Sequence, residues 1–504
     1  MDSANHAGGE RSNRALTPGT DFLALWLGDA PRGGRTAWLV TRVRDAITDG
    51  VLAVGSHLPP SRTLAADLGL SRGVVTEAYQ RLADEGHVEG RGRGGTVVVA
   101  RPVRAPARDA PAPAAAAPGA DHDDVFGDLA ADDVVDRLRA APARIDLSPG
   151  VPDLTAFPRA AWLRAEREVL DGRSAADLGY GDPRGALALR VAVAHWLARN
   201  RGILVDPDGV LVVAGAAQAF FLLSHLLRER GTSRIGMEDP GSFGARQQLR
   251  RQGMDVVPVP VDADGLRVDA LRSSGVRAVM TTPAHQFPTG VVLGGARRRE
   301  LGAWVAEGGI VLEDDYDAEH RYDRAPVPAL RATLGEGVAY TGSVSKLLAP
   351  ALRTGWLVAP AGLQQPLLRL KRDVDLGNPV LPQLVLAELM ESGAMERHLR
   401  ALRARHRRRR DAMVAALSAR LPEATVHGAA AGLHLVVTLP DGVDDWAVAA
   451  AALERGVKVH PLALHRQVPG APGLVLGYAA NGPGVLADGI DVVADVVRGA
   501  LDKT

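Results

Sequence analysis

Cysteine is absent from the 504 residues, and aromatic side chains make up only 4 % of them. Without thiols there can be no disulfide and no thiolate-ligated metal. With so few rings, the apolar 46 % must fill its core largely with Ala, Val and Leu. An excess of either charge is missing as well: 59 Lys and Arg stand against 59 Asp and Glu. No global field therefore draws the chain to nucleic acid or a membrane, and any such surface has to be local. No apolar run reaches the roughly 20 residues of a membrane span, and the first twenty residues lack a secretory apolar segment. A soluble, cytoplasmic protein is expected.

The length exceeds one ordinary domain, and composition divides it. Residues 1–30 are polar, Gly-rich and aperiodic, and read as a disordered tail. From Ala37, Trp38, Leu39, Val43, Ile47 and Val51 recur at helical steps. Leu58-Pro59-Pro60-Ser61 breaks the pattern, and Ser61 is the expected N-cap of a short helix bearing Leu64, Ala65 and Leu68. Ser71 caps a third helix with Val75, Ala78, Tyr79 and Leu82 on one face, and Gly86 stops it. Val88–Gly90 and Thr96–Val99 flank Arg91-Gly92-Arg93-Gly94-Gly95 as a hairpin. Residues 31–100 thus form one small domain. Residues 101–143, rich in Ala, Pro and Asp, read as a semi-extended linker with a short helix near 130–138. From 144 to 504, strands such as Val210–Val213, Arg234–Met237, Asp255–Val259, Ala278–Thr281 and Gly309–Glu313 alternate with helical patterns. That alternation predicts a mainly parallel sheet with a smaller C-terminal α/β subdomain.

Two short helices around a tight turn, with polar residues opening the second, are what a helix-turn-helix needs to meet base edges. Leu68-Gly69-Leu70-Ser71 supplies the turn, and Ser71, Arg72, Gly73 and Thr76 stand where a recognition helix enters the groove. Arg62 can reach a phosphate, and Arg91 and Arg93 at the hairpin tip can do so or enter the minor groove. Charge alone does not separate this from a solvated helical domain, since residues 31–97 hold nine Arg against seven Asp and Glu. The pattern does. Leu58-Pro59-Pro60-Ser61-Arg62, Leu68-Gly69-Leu70-Ser71-Arg72 and Tyr79-x-x-Leu82-x-x-Glu85-Gly86 closely resemble the GntR family of winged-helix repressors.

A second constellation offers an amine, hydroxyls and a guanidinium together: Gly342-Ser343-Val344-Ser345-Lys346, then Arg353. Glu313-Asp314-Asp315-Tyr316-Asp317 ends an apolar strand, and Gly215-Ala216-Ala217-Gln218 opens an apolar helix whose free amides suit a phosphate. Pyridoxal 5'-phosphate needs these groups: a lysine amine, a carboxylate at the pyridine nitrogen and a donor-rich phosphate cup. Alone, each is as readily a surface loop or a solvated acidic turn; a metal site is the lesser alternative. In this order, with Thr282-Pro283-Ala284-His285-Gln286-Phe287-Pro288-Thr289-Gly290, Lys346-Leu347-Leu348-Ala349-Pro350 and His398-Leu399-Arg400-x-x-Arg403, they resemble fold-type I aminotransferases. They are similar in particular to the MocR branch of GntR regulators, which joins both domains.

The resemblance implies a multidomain fold: an N-terminal winged helix-turn-helix, then an α/β fold-type I aminotransferase-like domain that binds cofactor and dimerises. Lys346 would hold pyridoxal phosphate as an aldimine. Asp314, or its neighbour Asp315, would meet the pyridine nitrogen and Tyr316 the ring hydroxyl. Ser343, Ser345, Arg353 and the Ala216-Ala217-Gln218 helix start would take the phosphate. The pattern breaks in three places. The stacking aromatic after Glu238-Asp239-Pro240-Gly241 is displaced to Phe243, the Asn before Pro-Thr-Gly is Phe287, and Val475 stands where an arginine clamps the substrate carboxylate. Valine cannot make a bidentate clamp. The function implied is a homodimeric transcriptional regulator, not an enzyme, that binds a double-stranded DNA operator and senses pyridoxal phosphate or a small amine or amino-acid effector. Vitamin B6 or amine metabolism would be its target. The alternatives are an active aminotransferase with a vestigial DNA-binding module and a cofactor-free regulator. The run Arg405-His406-Arg407-Arg408-Arg409-Arg410 reads as a solvated helix face rather than a second DNA contact.

Overall fold

The computed structural model describes residues 34–49, 51–99, 134–322 and 327–502, with side chains 93, 135 and 176 set aside. The first thirty residues and most of the expected linker lie outside this set. The described residues fall into two compact units, one within Met1–Gly119 and one within Ala120–Thr504.

In the first unit, helices α1 (Arg35–Thr48), α2 (Ser61–Asp67) and α3 (Arg72–Asp84) surround a small core. Leu39, Val43 and Ile47 of α1 and Val75, Ala78 and Leu82 of α3 are buried at three- and four-residue spacing. Val51, expected on the same apolar face, is 61 % exposed because α1 ends at Thr48. Ser61 is the first helical residue of α2 rather than its cap, a place taken by Pro60. Ser71 does cap α3, its hydroxyl accepting from the Val74 amide at 3.4 Å. The wing has three strands: β1 (His57–Leu58), β2 (Val88–Gly90) and β3 (Thr96–Val98), ordered β1-β3-β2. Two-residue β1 carries no alternation and so leaves no trace in the sequence. The Tyr79 hydroxyl donates to the Pro59 carbonyl at 2.9 Å and ties α3 to the segment before α2.

The second unit opens with α4 (Val134–Ala140) and β4 (Ile145–Asp146), followed by α5 (Arg159–Asp171) and α6 (Leu187–Arg201). Its large sheet begins with β5 (Val210–Val213), then α7 (Ala216–Glu229), β6 (Arg234–Asp239), α8 (Phe243–Arg251), β7 (Asp255–Asp262) and β8 (Gly265–Leu266). There follow α9 (Val268–Ser273), β9 (Ala278–Thr281), α10 (Gly295–Ala306), β10 (Ile310–Asp315), α11 (Leu330–Leu334), β11 (Val338–Ser343) and β12 (Gly355–Val358). Strand order is β5-β12-β11-β10-β9-β6-β7-β8. The run from β11 to β7 is parallel, while β12 is antiparallel to both neighbours. β5, β9 and β12 are buried at every residue, as sheets covered by helices on both faces require.

Helices α12 (Ala361–Asp375), α13 (Val380–Glu391) and the 27-residue α14 (Ala394–Arg420) lead into a smaller lobe. There β13 (Thr425–His427), β14 (His434–Thr438), α15 (Asp445–Glu454), β15 (Val457–Lys458), β16 (His460–Pro461), β17 (Gly473–Gly477) and α16 (Pro483–Leu501) form an antiparallel sheet β13-β14-β17-β16 backed by helices. β15 instead pairs with β4 in parallel. One sheet face, with Leu435, Val437, Leu474 and Leu476, packs with Met413, Leu417 and Val493 into the lobe's core. The alternating residues of these strands form the opposite face. The expected mainly parallel α/β domain with a small C-terminal α/β subdomain is the fold observed.

Candidate cofactor site and nucleic-acid interface

Strand register assembles one end of the site. Val213 pairs with Gly355 and Gly355 with Ser343, so β5, β12 and β11 end side by side. A Cβ on Gly215 would lie 3.3 Å from the Arg353 guanidinium, and Gly215 has φ +77. Glycine there lets Arg353 rest on the start of α7, where it donates to the Ala214 carbonyl at 2.5 Å. Ser343, Arg353 and the backbone of Gly215-Ala216-Ala217 therefore meet around a helix N-terminus with unsatisfied amides. Ser345 lies in the half-buried turn that follows. Gln218 is drawn away from this group: its carbonyl oxygen accepts from the Ala214 amide and its amide donates to Asp375, each at 2.7 Å.

Lys346 follows in the same turn, and its Nζ donates to the Gly150 carbonyl. Burial lowers its pKa, against the opposing pull of Asp317 and Asp314. Asp314 and Asp315 stand opposite Thr341 and Gly342 of β11, and strand alternation sends their side chains to opposite faces. Asp315 is consumed by a buried ion pair, with Arg201 Nε at 2.6 Å and the Tyr340 hydroxyl at 2.5 Å. Among the described residues nothing hydrogen-bonds the Asp314 carboxylate. Burial first, then repulsion from Asp315 and Asp317, pushes its pKa up to about 7.

Beyond Asp314, His285 Nδ1 lies 3.0 Å from the Tyr316 hydroxyl and 2.9 Å from Asp317 Oδ2. Burial, then Asp317, raises the Tyr316 pKa and keeps the phenol protonated. Glu238 is buried among Thr281, Thr282 and Gln286, its carboxyl raised by burial. Gly150, His285, Asp317 and Arg201 were not singled out by sequence reasoning. His285 and Asp317 lie within motifs noted there, but Gly150 and Arg201 join the site only through contacts more than 100 residues apart.

Phe243 is not with these residues. It packs with Val134, Leu138, Leu464 and Trp446 and carries the Arg246 guanidinium 5.0 Å from its ring centre. Helix α4, in the stretch expected to be linker, forms the other side of that cluster, which is why Phe243 is engaged there. Phe287 instead sits at the site, 5.9 Å from the Tyr316 ring. Val475 is fully buried against Val436 and Leu462. The basic run on α14 is not simply solvated: Arg405 and Arg409 both pair with buried Asp153, and His406 is buried.

In the first unit Arg62, Ser71, Arg72, Gly73 and Thr76 are all exposed at the α2–α3 turn. Arg91 is exposed in the wing and weakly paired with Glu89 at 3.3 Å. Arg93 falls in the short 3-10 turn Gly92–Gly94, and its side chain lies outside the described set. No helix of the described residues is long and apolar enough to cross a membrane.

Comparison with known proteins finds a family match within each unit. Residues 37–98 match the family of bacterial regulatory proteins of the gntR type, and residues 143–469 match aminotransferase class I and II. The chain is 32 % identical to the probable rhizopine catabolism regulatory protein MocR of Rhizobium meliloti, over 90 % of this chain and 92 % of that protein. It is 33 % identical to the HTH-type pyridoxine biosynthesis transcriptional regulator PdxR of Corynebacterium glutamicum, over 91 % and 95 %. Among solved structures, the alpha-aminoadipate aminotransferase LysN of Thermus thermophilus, complexed with N-(5'-phosphopyridoxyl)-L-leucine, superposes with a TM-score of 0.67. It is 28 % identical and covers 76 % of this chain and 98 % of its own.

Proposed function

The chain belongs to the class I and II aminotransferase family and, with its gntR-type domain, to the MocR-type HTH regulators; we propose that it is a homodimeric transcriptional regulator whose larger unit binds pyridoxal phosphate and senses that cofactor or a small amine. The observation that carries this is the combination of a Lys346 amine, a partnerless Asp314 and a glycine-made cradle in a chain headed by an exposed helix-turn-helix.

The residues present fit the cofactor. Asp314, raised to about 7, would be relieved by a protonated ring nitrogen, whereas Asp315 already has Arg201. Tyr316, kept protonated, donates a hydrogen bond to a ring oxygen. Ser343, Ser345, Arg353 and the α7 amides hold a phosphate dianion by direct and helix-end hydrogen bonds. Lys346, lowered by burial, keeps more of its amine in the uncharged, nucleophilic form. Bound pyridoxal phosphate supplies an aldehyde that condenses with primary amines and a ring that withdraws electrons. In the first unit, Ser71, Arg72, Gly73 and Thr76 read base edges while Arg62 and Arg91 hold phosphates. No bidentate clamp is available at Val475, which argues for sensing over turnover of α-amino acids.

A second copy of the chain is the natural cover for an apolar rim. Leu178, Tyr180 and Leu376, exposed by 61, 97 and 58 %, border a hollow of 640 Å³. Monomers seldom leave such a patch to water, and a two-fold dimer suits a repeated operator. Vitamin B6 or amine metabolism is the target these relatives suggest.

The test is a visible absorption spectrum of the purified chain with added pyridoxal phosphate, beside Lys346→Ala. A band near the protein-bound cofactor range, lost in the variant, supports the reading; no band in either sinks it. On the same preparations Arg72→Ala should weaken duplex DNA binding about ten-fold, on the scale of one lost base contact, and leave the band in place.

A further inference from the structure

The face of the small-lobe sheet that meets the Lys346 loop is walled by histidines. Gly477 and Val475 lie on one side of β17, two residues apart. A Cβ on Gly477 would press on the Ser148 carbonyl and Pro149, directly before the Gly150 carbonyl that receives the Lys346 amine. Across the strands, His434 pairs with Gly477 and His460 with Val475. His465 stacks on His460 at 5.7 Å, and Phe287 stands 5.0 Å from His434 and 5.1 Å from His465. His434 is also 5.4 Å from His285, which closes the chain back to Tyr316.

His285, His434 and His465 are buried, His460 is half-buried, and the four are poorly partnered. Among the described residues, His285 Nε2, His434 Nδ1, His460 Nδ1 and both nitrogens of His465 have no hydrogen-bond partner. A buried polar atom left unpaired is costly, so a cluster of five points to a ligand that completes it. Metal is not that ligand: among the described residues no three histidines or carboxylates converge on a point. A carboxylate is disfavoured by the absence of a guanidinium at Val475. Lys458 pairs with Asp146, Arg246 donates to the Leu464 and His465 carbonyls, and Arg466 donates to the Ala471 carbonyl while its Nε has no partner among the described residues. Burial keeps His434 and His460 neutral, with pKa values near 4. On the Lys346 side stand Asp314 and Asp317, which favour a cation.

We propose that this wall selects a primary amine carried on a planar, hydrogen-bonding ring without a carboxylate, the ring lying against Phe287 between His434 and His465. The proposal rests on the amine-sensing reading above. It gives the substitution at Val475 a purpose, since valine supplies no guanidinium to demand an anion.

Calorimetric titration of the full chain, with pyridoxal phosphate present, into tyramine, phenethylamine and tyrosine tests it. Tyramine should bind at least ten-fold more tightly than tyrosine. His465→Phe, which keeps an aromatic ring but removes its nitrogens, should abolish the preference for tyramine over phenethylamine, and Val475→Arg should shift preference toward tyrosine by ten-fold or more. Tyrosine binding as tightly as tyramine, neither binding, or tyramine affinity unmoved in both His434→Phe and His465→Phe would overturn it. If Val475→Arg fails to fold, the histidine variants still decide. An intact cofactor band with no amine preference rejects this inference alone; a missing band rejects the cofactor reading beneath it.

Discussion

Two regions flank Lys346 at similar depth and treat their polar atoms in opposite ways. On the β10–β11 side, Asp315, Arg201 and Tyr340 satisfy one another completely at 2.5–3.2 Å, with Arg201 Nη1 on the Val327 carbonyl. On the small-lobe side, five ring nitrogens lie around Phe287 without a partner among the described residues. Closed networks in a low-dielectric interior fix shape, and open ones cost stability until something fills them. The difference teaches where the molecule is a scaffold and where it waits for a ligand. It also separates adjacent residues, since Asp315 belongs to the first kind and Asp314 to the second.

The largest test breaks the closed network. Asp315→Ala leaves the Arg201 guanidinium buried and unpaired, and removing one partner of such a pair costs about 3–5 kcal/mol. The thermal transition of the larger unit should fall steeply, whereas Asp314→Ala should not lower it. Equal losses in the two variants would erase the distinction drawn between neighbouring aspartates.

A smaller effect sharpens it through pH. The Asp314 carboxyl titrates near 7 in the folded chain and near 4 when unfolded. A pKa raised on folding contributes stability that is complete below about pH 4 and is lost as pH rises through 7. The cofactor-free parent should therefore weaken between pH 4.5 and 8 by an amount on the order of 3 kcal/mol. Asp314→Asn should lack this loss and be the more stable protein at pH 8. Denaturant midpoints at pH 4.5 and 8 measure it, and parallel pH profiles for parent and variant would contradict the assignment.

How much of this the sequence disclosed follows the range of the contacts involved. Lys346, Ser343, Arg353 and the strands around them were legible, because a loop at the end of an apolar strand brings its chemistry within a few positions. The recognition turn at Ser71 was legible for the same reason. The choice between Asp314 and Asp315 was not, since it is made by Arg201, 114 residues away. Phe243 was assigned by its distance from Glu238-Asp239-Pro240, but α4 and Leu464, remote in sequence, hold it elsewhere. Arg405 and Arg409 looked like solvent-facing charge until Asp153, about 250 residues earlier, turned out to be their partner. The histidine wall was invisible altogether, because its members lie on separate segments from His285 to His465 and single histidines carry no spacing signal.

The smallest expected change concerns that wall without a ligand. Replacing a buried, unpartnered polar ring by an apolar one of similar shape removes no hydrogen bond, so it should be neutral or slightly favourable. At pH 8, His465→Phe should lie within about 1 kcal/mol of the parent, in contrast to the collapse expected for Asp315→Ala. Burial pulls the His465 pKa well below its ordinary value. A histidine depressed on folding contributes stability above its unfolded pKa and loses it as pH falls below that value. The variant should therefore gain on the parent on going from pH 8 to pH 5.5. A marked loss of stability at pH 8 would mean that the His465 nitrogens are partnered in solution, and the two sides of Lys346 would then be alike.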